Sequence, residues 1–250
     1  MAEAALHFAI NLMLGTVLGA LGGLFGIGGA LIAIPVLGKM YGMEQHLAQG
    51  TALLMIAPNA LIGFLRYRQK NAIAIKTTFW PCLLVMPFAA LGAHLAAHFP
   101  AALLRQMFAV FLILLAFYFI VQQRTARDKA PFLGLRSMPL VGVLSGLVSG
   151  FFTVGGGLVA IPVLTGAFGT SQTKAQGLAL AMVIPGSLVA LATYAQAGHV
   201  DWPLGLPIAM GGIVSVSWGV ELAHRIAPGR LRLAFCSMLG AIALSMLIGH

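Results

Sequence analysis

Two glycine clusters carry the chemistry open to this chain. Gly26-Ile27-Gly28-Gly29 and Thr153-Val154-Gly155-Gly156-Gly157 sit at matching places in two apolar stretches, and each precedes a short apolar run holding a proline, Pro35 or Pro162. Glycine pairs and prolines interrupt helices, and backbone groups freed at membrane depth survive only when buried in protein or lining a wet cavity. A helix that restarts after such a break offers unpaired N–H groups and the positive end of its dipole, so it binds anions without a basic side chain. Gly28, Gly29, Gly155 and Gly156 are the expected backbone donors to a small anionic substrate, because glycine lets a ligand oxygen reach the main chain. The plainer alternative is a tight turn between packed helices.

A second doubled element follows each cluster. Ala48-Gln49-Gly50 and Ala175-Gln176-Gly177 open the next long apolar segment, where Gln49 and Gln176 either orient an anion or else cap the helix or bridge neighbouring helices. Both roles need an inward-facing side chain. Pro58 and Pro185 lie about nine residues further on, where a missing N–H bends the axis, and they are candidate hinges. The ionisable residues inside spans are His94, His98, Glu221 and His224, all near segment ends; His94 and Glu221 are equivalent in the repeat. Glu221 stands four residues before Arg225, the spacing of an ordinary helical ion pair. These groups read as interfacial rather than as a proton relay.

The elements that position these residues come in two copies. Phe25 to Gln69 and Phe152 to Gln196 align without a gap at an offset of 127 residues and share 21 of 45 positions. Composition sets their solvent: 60% of residues are apolar, 8% are charged and mean hydropathy is +0.99. Soluble domains carry about 25% charged residues, so this is an all-α polytopic membrane protein. Strands of alternating polarity, the mark of a membrane β-barrel, are missing. Expected segments are Ala4–Leu24, Ala30–Gly42, His46–Leu65, Thr77–Ala97 and Ala101–Val121, then Met138–Phe152, Gly157–Gly169, Thr173–Tyr194, Trp202–His224 and Arg230–His250.

The short second segment of each copy decides between eight crossings, four plus four, and ten, five plus five. Lys and Arg in short loops collect on the cytoplasmic side. Eight crossings divide the 14 basic residues eight against six. Ten crossings place all of them except Lys39 and Arg105 on one face, twelve against two. The expected architecture is therefore two five-segment halves in inverted orientation, residues 1–121 and 138–250, joined by a cytoplasmic linker, 122–137. Both termini then face the periplasm. The opening MAEAALHFAI has no basic n-region, so it reads as a span and not a cleaved signal. Gly15, Gly19 and Gly23, with Gly142, Gly146 and Gly150, form small-residue faces that seat the first helix of each half.

With its GIGG and TVGGG motifs, each followed by a helix reading AIPVL, and its doubled layout, the chain resembles the TauE/SafE family of sulfite and organosulfur-anion exporters from about Leu12 to Leu247. The resemblance implies a membrane permease for sulfite, sulfoacetate or another small, mostly sulfur-containing anion. Two departures from symmetry bear on selectivity: Asn59 faces Gly186 in the alignment, and Thr153 stands where the first copy has Gly26.

Other classes fit poorly. The net charge of +9 belongs to membrane loops, so no nucleic-acid partner is expected. A GxSxG elbow, an HExxH helix and a P-loop are all missing, and the only aspartates are Asp128 and Asp201 in loops. No enzyme activity, metal or cofactor is expected. Cys82 and Cys236 lie in separate apolar segments and read as packing residues. The competing function is a structural or accessory membrane protein, which leaves the doubled breaks without a purpose. Oligomeric state is not legible.

Overall fold

The computed structural model describes residues 2–71, 73, 75–125, 134, 137–153 and 156–248. Ten helices run through them: α1 (Ala2–Phe25), α2 (Ala30–Tyr41), α3 (Gln45–Lys70), α4 (Ile75–Ala97), α5 (Ala101–Thr125), α6 (Met138–Phe152), α7 (Gly157–Gly166), α8 (Gln172–Gln196), α9 (Trp202–Arg225) and α10 (Pro228–Ile248). No strand occurs among the described residues. By length and composition α1, α3, α4, α5, α8 and α9 can each cross a membrane, and α2, α6 and α7 are shorter apolar helices. The chain is a multi-pass helical membrane protein. Exposed Met13, Trp80, Leu114, Phe117, Trp218 and Leu233 supply an apolar perimeter of the kind a bilayer wets.

Local chemistry sets the helix ends. α1 gives way at Gly26 (φ 68°) and α6 at Thr153 (φ 55°), both left-handed, a conformation that ends a helix cheaply at glycine and less so elsewhere. The Asp201 carboxylate accepts from the Leu204 amide at 3.1 Å, capping α9, whose first turn also holds Pro203. α5 continues to Thr125 and so takes in the first residues of the expected linker; residues 126–133 and 135–136 of that linker lie outside the described residues.

Side-chain contacts fix the directions of the helices. α2 folds back along α1, since a Cβ on Gly29 would stand 2.9 Å from the Leu18 carbonyl oxygen and the Tyr41 hydroxyl donates to Asn11 further down α1. α3 reverses again: Gln45 follows closely on Tyr41, while Ile56 lies 3.1 Å from a Cβ built on Gly28. The far end of α4 returns to the start of α3, where His46 Nε2 meets the Phe99 carbonyl at 3.1 Å. α3 is the interior helix: 72% of its apolar window is buried, against 33% for α4 and for α5.

The two copies interdigitate. The glycine face of α1 packs parallel to α9, pairing Gly15 with Ile208, Gly19 with Gly212 and Gly23 with Val216. The glycine face of α6 packs parallel to α4, pairing Gly142 with Pro81, Gly146 with Val85 and Gly150 with Ala89. Every residue in the second set is 127 positions from its counterpart in the first, so the first helix of each copy rests on the fourth helix of the other. The ring contacts Phe25–Phe235 (5.3 Å) and Phe108–Phe152 (5.5 Å) repeat the same correspondence. α3 and α8, which are equivalent, run antiparallel: Tyr194 near the end of α8 meets Gln49 near the start of α3, and Tyr67 meets Gln176.

Candidate functional site

Both breaks lie inside the bundle. Gly26, Gly28 and Gly29 have φ of 68°, 71° and 94°, and in the second copy Gly156 has φ 55°. Val154 and Gly155 lie outside the described residues. Among the described residues Thr153 is the one non-glycine with positive φ; it is fully buried, and its hydroxyl donates to the Phe152 carbonyl at 2.7 Å. A left-handed residue of this kind costs on the order of 1 kcal/mol, held here by the packing around it.

The helices that follow begin with buried amides that lack an intrahelical partner. The first bonds of α2 reach the Gly29 carbonyl from Ile32 (3.3 Å) and Ala33 (3.1 Å), and those of α7 reach the Gly156 carbonyl from Val159 (3.2 Å) and Ala160 (3.0 Å). The amides of Ala30 and Leu31, and of Gly157 and Leu158, precede these bonds and have no acceptor within their own helix. The two breaks also meet: a Cβ on Gly157 would lie 3.4 Å from the Gly26 carbonyl oxygen. In this conformation the first turn is sealed, with Gly28 buried against Ile56 and Gly29 against Met55.

Gln49 and Gln176 are both fully buried and face inward, and each is held by the opposite copy. The Tyr194 hydroxyl donates to Gln49 Oε1 at 2.9 Å, and Gln49 Nε2 donates to the Phe152 carbonyl at 3.4 Å, the last residue of α6. In the other copy the Tyr67 hydroxyl lies 3.0 Å from the Gly23 carbonyl and 3.1 Å from Gln176 Oε1, and Gln176 Nε2 donates to the Leu24 carbonyl at 3.3 Å, next to the end of α1. Of the two roles expected for these glutamines, bridging is the one on display. Each amide reaches into the opposite copy and there ties the helix before the break to that copy's tyrosine.

The tyrosines were not among the anticipated site residues. Tyr67 and Tyr194 are equivalent in the repeat, and an identical polar residue at equivalent positions of two apolar helices was the available signal. Ser145 and Ser149 were missed as well: their hydroxyls are buried with no hydrogen-bond partner, and the backbone of Ser145 packs against Gly156. Asn59, which was anticipated, is fully buried with both amide atoms unpaired, one helical turn beyond the Met55 that covers Gly29. Pro58 and Pro185 lie within continuous helices α3 and α8.

Among the ionisable residues near segment ends, His224 Nε2 lies 3.1 Å from Asn71 Nδ2 and its ring 5.1 Å from that of Tyr67. Glu221 pairs with Lys70 and with Arg225 (3.5 Å), all exposed. His94 and His98 form an edge-to-face pair at 4.8 Å near the end of α4. Among the described residues no three of His, Cys, Asp and Glu converge as a metal would need.

Comparison with known proteins bears on the class. The model of the family described as Sulfite exporter TauE/SafE matches residues 11–246. A protein of Methanocaldococcus jannaschii named "probable membrane transporter protein" is 28% identical over 98% of this chain and 97% of its own length. Proteins of the same designation from Xylella fastidiosa (26% identical, 87% of this chain and 84% of theirs) and Bacillus subtilis (25%, 91% and 95%) are similar along most of their lengths.

Proposed function

Because the chain belongs to the sulfite exporter TauE/SafE family, we propose that it is a secondary transporter exporting a small anion, sulfite or an organosulfonate, by alternating access between two inverted halves. The halves are residues 1–121 and 138–250, each crossing an inner membrane five times, with the linker 122–137 cytoplasmic and both termini periplasmic. The observation that carries this reading is the antiparallel crossing of the equivalent helices α3 and α8, closed at each end by a Tyr–Gln bond. On this reading a dyad between them would point the helix starts after the two breaks at one another from opposite faces. Broken helices meeting at the interface of inverted repeats are the usual site of substrate binding in such transporters.

The substrate oxygens bind the amides of Gly28, Gly29, Gly155 and Gly156 and those next along α2 and α7. Asn59 and Thr153 tune selectivity, and Gln49 and Gln176 reorient toward the anion once a tyrosine releases them. On this reading the packing of Gly29 under Met55 belongs to a closed conformation. Bending at Pro58, three residues beyond Met55, and at Pro185 uncovers one break at a time. With a negative cell interior, membrane potential alone favours export by about 2.3 kcal/mol per charge per 100 mV.

Purified protein in proteoliposomes, offered sulfite, sulfate, thiosulfate, sulfoacetate and lactate, tests the reading. Flux of at least one sulfur oxyanion, driven by a membrane potential of the right sign, is expected. Flux of a neutral or cationic solute with no response to any anion would remove the electrostatic basis.

A further inference from the structure

The charge bias that favours ten crossings leaves two basic residues on the face opposite the linker, Lys39 and Arg105. They share one cavity. It has a volume of ≈ 400 Å³ and is lined by Ile34, Pro35, Lys39, Glu44, Gln45 and Arg105, together with neighbouring glycine, alanine and methionine residues. We propose that this cavity is an anion-binding vestibule at the periplasmic mouth, holding a sulfonate or sulfite-like oxyanion on its way from the glycine breaks.

Four features of the cavity favour negative charge. Lys39 forms no ion pair among the described residues, and Arg105 adds a second cation. Gln45, a residue of the cavity lining, is only 8% exposed, and its Nε2 is a buried donor with no hydrogen-bond partner. Gln45 is also the first residue of α3, whose N-cap Glu44 makes no side-chain cap, so the positive end of a 26-residue helix opens here. Ala101 and Ala102, the first residues of α5, bring a second helix start to the same wall. The Glu44 carboxylate offsets one cation, leaving a net attraction suited to a monovalent or weakly divalent anion.

The cavity is also placed to serve the transport path. Ile34 and Pro35 form part of its wall, and they stand five and six residues beyond Gly29 on α2, roughly 8–9 Å along the axis. Pro35 lacks the N–H that would bond the Leu31 carbonyl, so the α2 backbone is looser between vestibule and break.

The ligand class rests on the anion reading above, so the test reads the cavity without requiring transport. Ala102, exposed at the rim, is replaced by cysteine (Ala102→Cys) with Cys82→Ala and Cys236→Ala, and the protein is placed in phosphatidylcholine nanodiscs to exclude anionic headgroups. Labelling rates by anionic sulfonatoethyl methanethiosulfonate and cationic trimethylammonioethyl methanethiosulfonate are then compared. The anionic reagent is expected to react about tenfold faster relative to its rate at an exposed reference site, as focusing of field in a cationic cleft allows. Sulfoacetate should slow it, Lys39→Gln and Arg105→Gln should remove both preference and protection, and Lys39→Arg should retain them. Equal or faster labelling by the cation, or a preference that survives loss of both basic residues, would overturn the vestibule. Intact preference and protection in a protein that moves no anion across vesicles would instead overturn the transport reading and leave the vestibule standing.

Discussion

At the scale of single residues, the two breaks are fastened by polar side chains whose partners come from the other copy. Tyr194→Phe removes the donor to Gln49 and Tyr67→Phe the group facing Gln176, and each should lower stability by about 1 kcal/mol, the usual net value of such a bond. Thermal unfolding in detergent would check this, and a double cycle of Tyr194→Phe with Gln49→Leu should show the two losses to be shared rather than additive. Asn59 behaves differently. A buried amide with nothing to bond costs about 1–3 kcal/mol, so Asn59→Ala should hold or raise the unfolding midpoint while shifting the preference among sulfur oxyanions. A lowered midpoint would mean that Asn59 is satisfied by a partner within the protein. The glycines, glutamines and Asn59 were legible because the repeat singles them out as polar or flexible points in apolar runs. Tyr67 and Tyr194 stand in the same alignment, yet a tyrosine near a helix end passes for an interfacial anchor until its hydroxyl is seen to turn inward.

At the scale of elements, close approach of backbones sets the packing. A Cβ on Gly150 would fall 1.9 Å from the Ala89 carbonyl oxygen, so Gly150→Ala must push α6 away from α4 and should cost about 1–3 kcal/mol by overpacking. Gly240→Ala, on α10 with nothing within 4 Å, is the control: it should be neutral or slightly stabilising, as alanine is the better helix former. Far-ultraviolet melting of both variants separates the two cases. Hydropathy and glycine punctuation located all ten helices to within a few residues, since each boundary is a local event such as the turn at Gly26 or the Asp201 cap. The choice of neighbours was hidden. A face of Gly142, Gly146 and Gly150 says that some backbone comes close, and only the folded chain says that it is α4 of the other copy.

At the scale of the whole molecule, the proposed inversion assigns sides to every loop. Reporter fusions at His250 should report the periplasm and fusions within residues 122–137 the cytoplasm; a cytoplasmic reading at both would replace the ten-crossing layout with the eight-crossing one. The central claim concerns the two breaks themselves, and sulfite flux through Gly28→Val and Gly156→Val proteins, reconstituted beside the wild type, tests it most directly. The account predicts potential-driven flux in the wild type and its loss in both variants at equal insertion. Undiminished flux through both would contradict it, showing that the anion takes a path that never touches the broken helices.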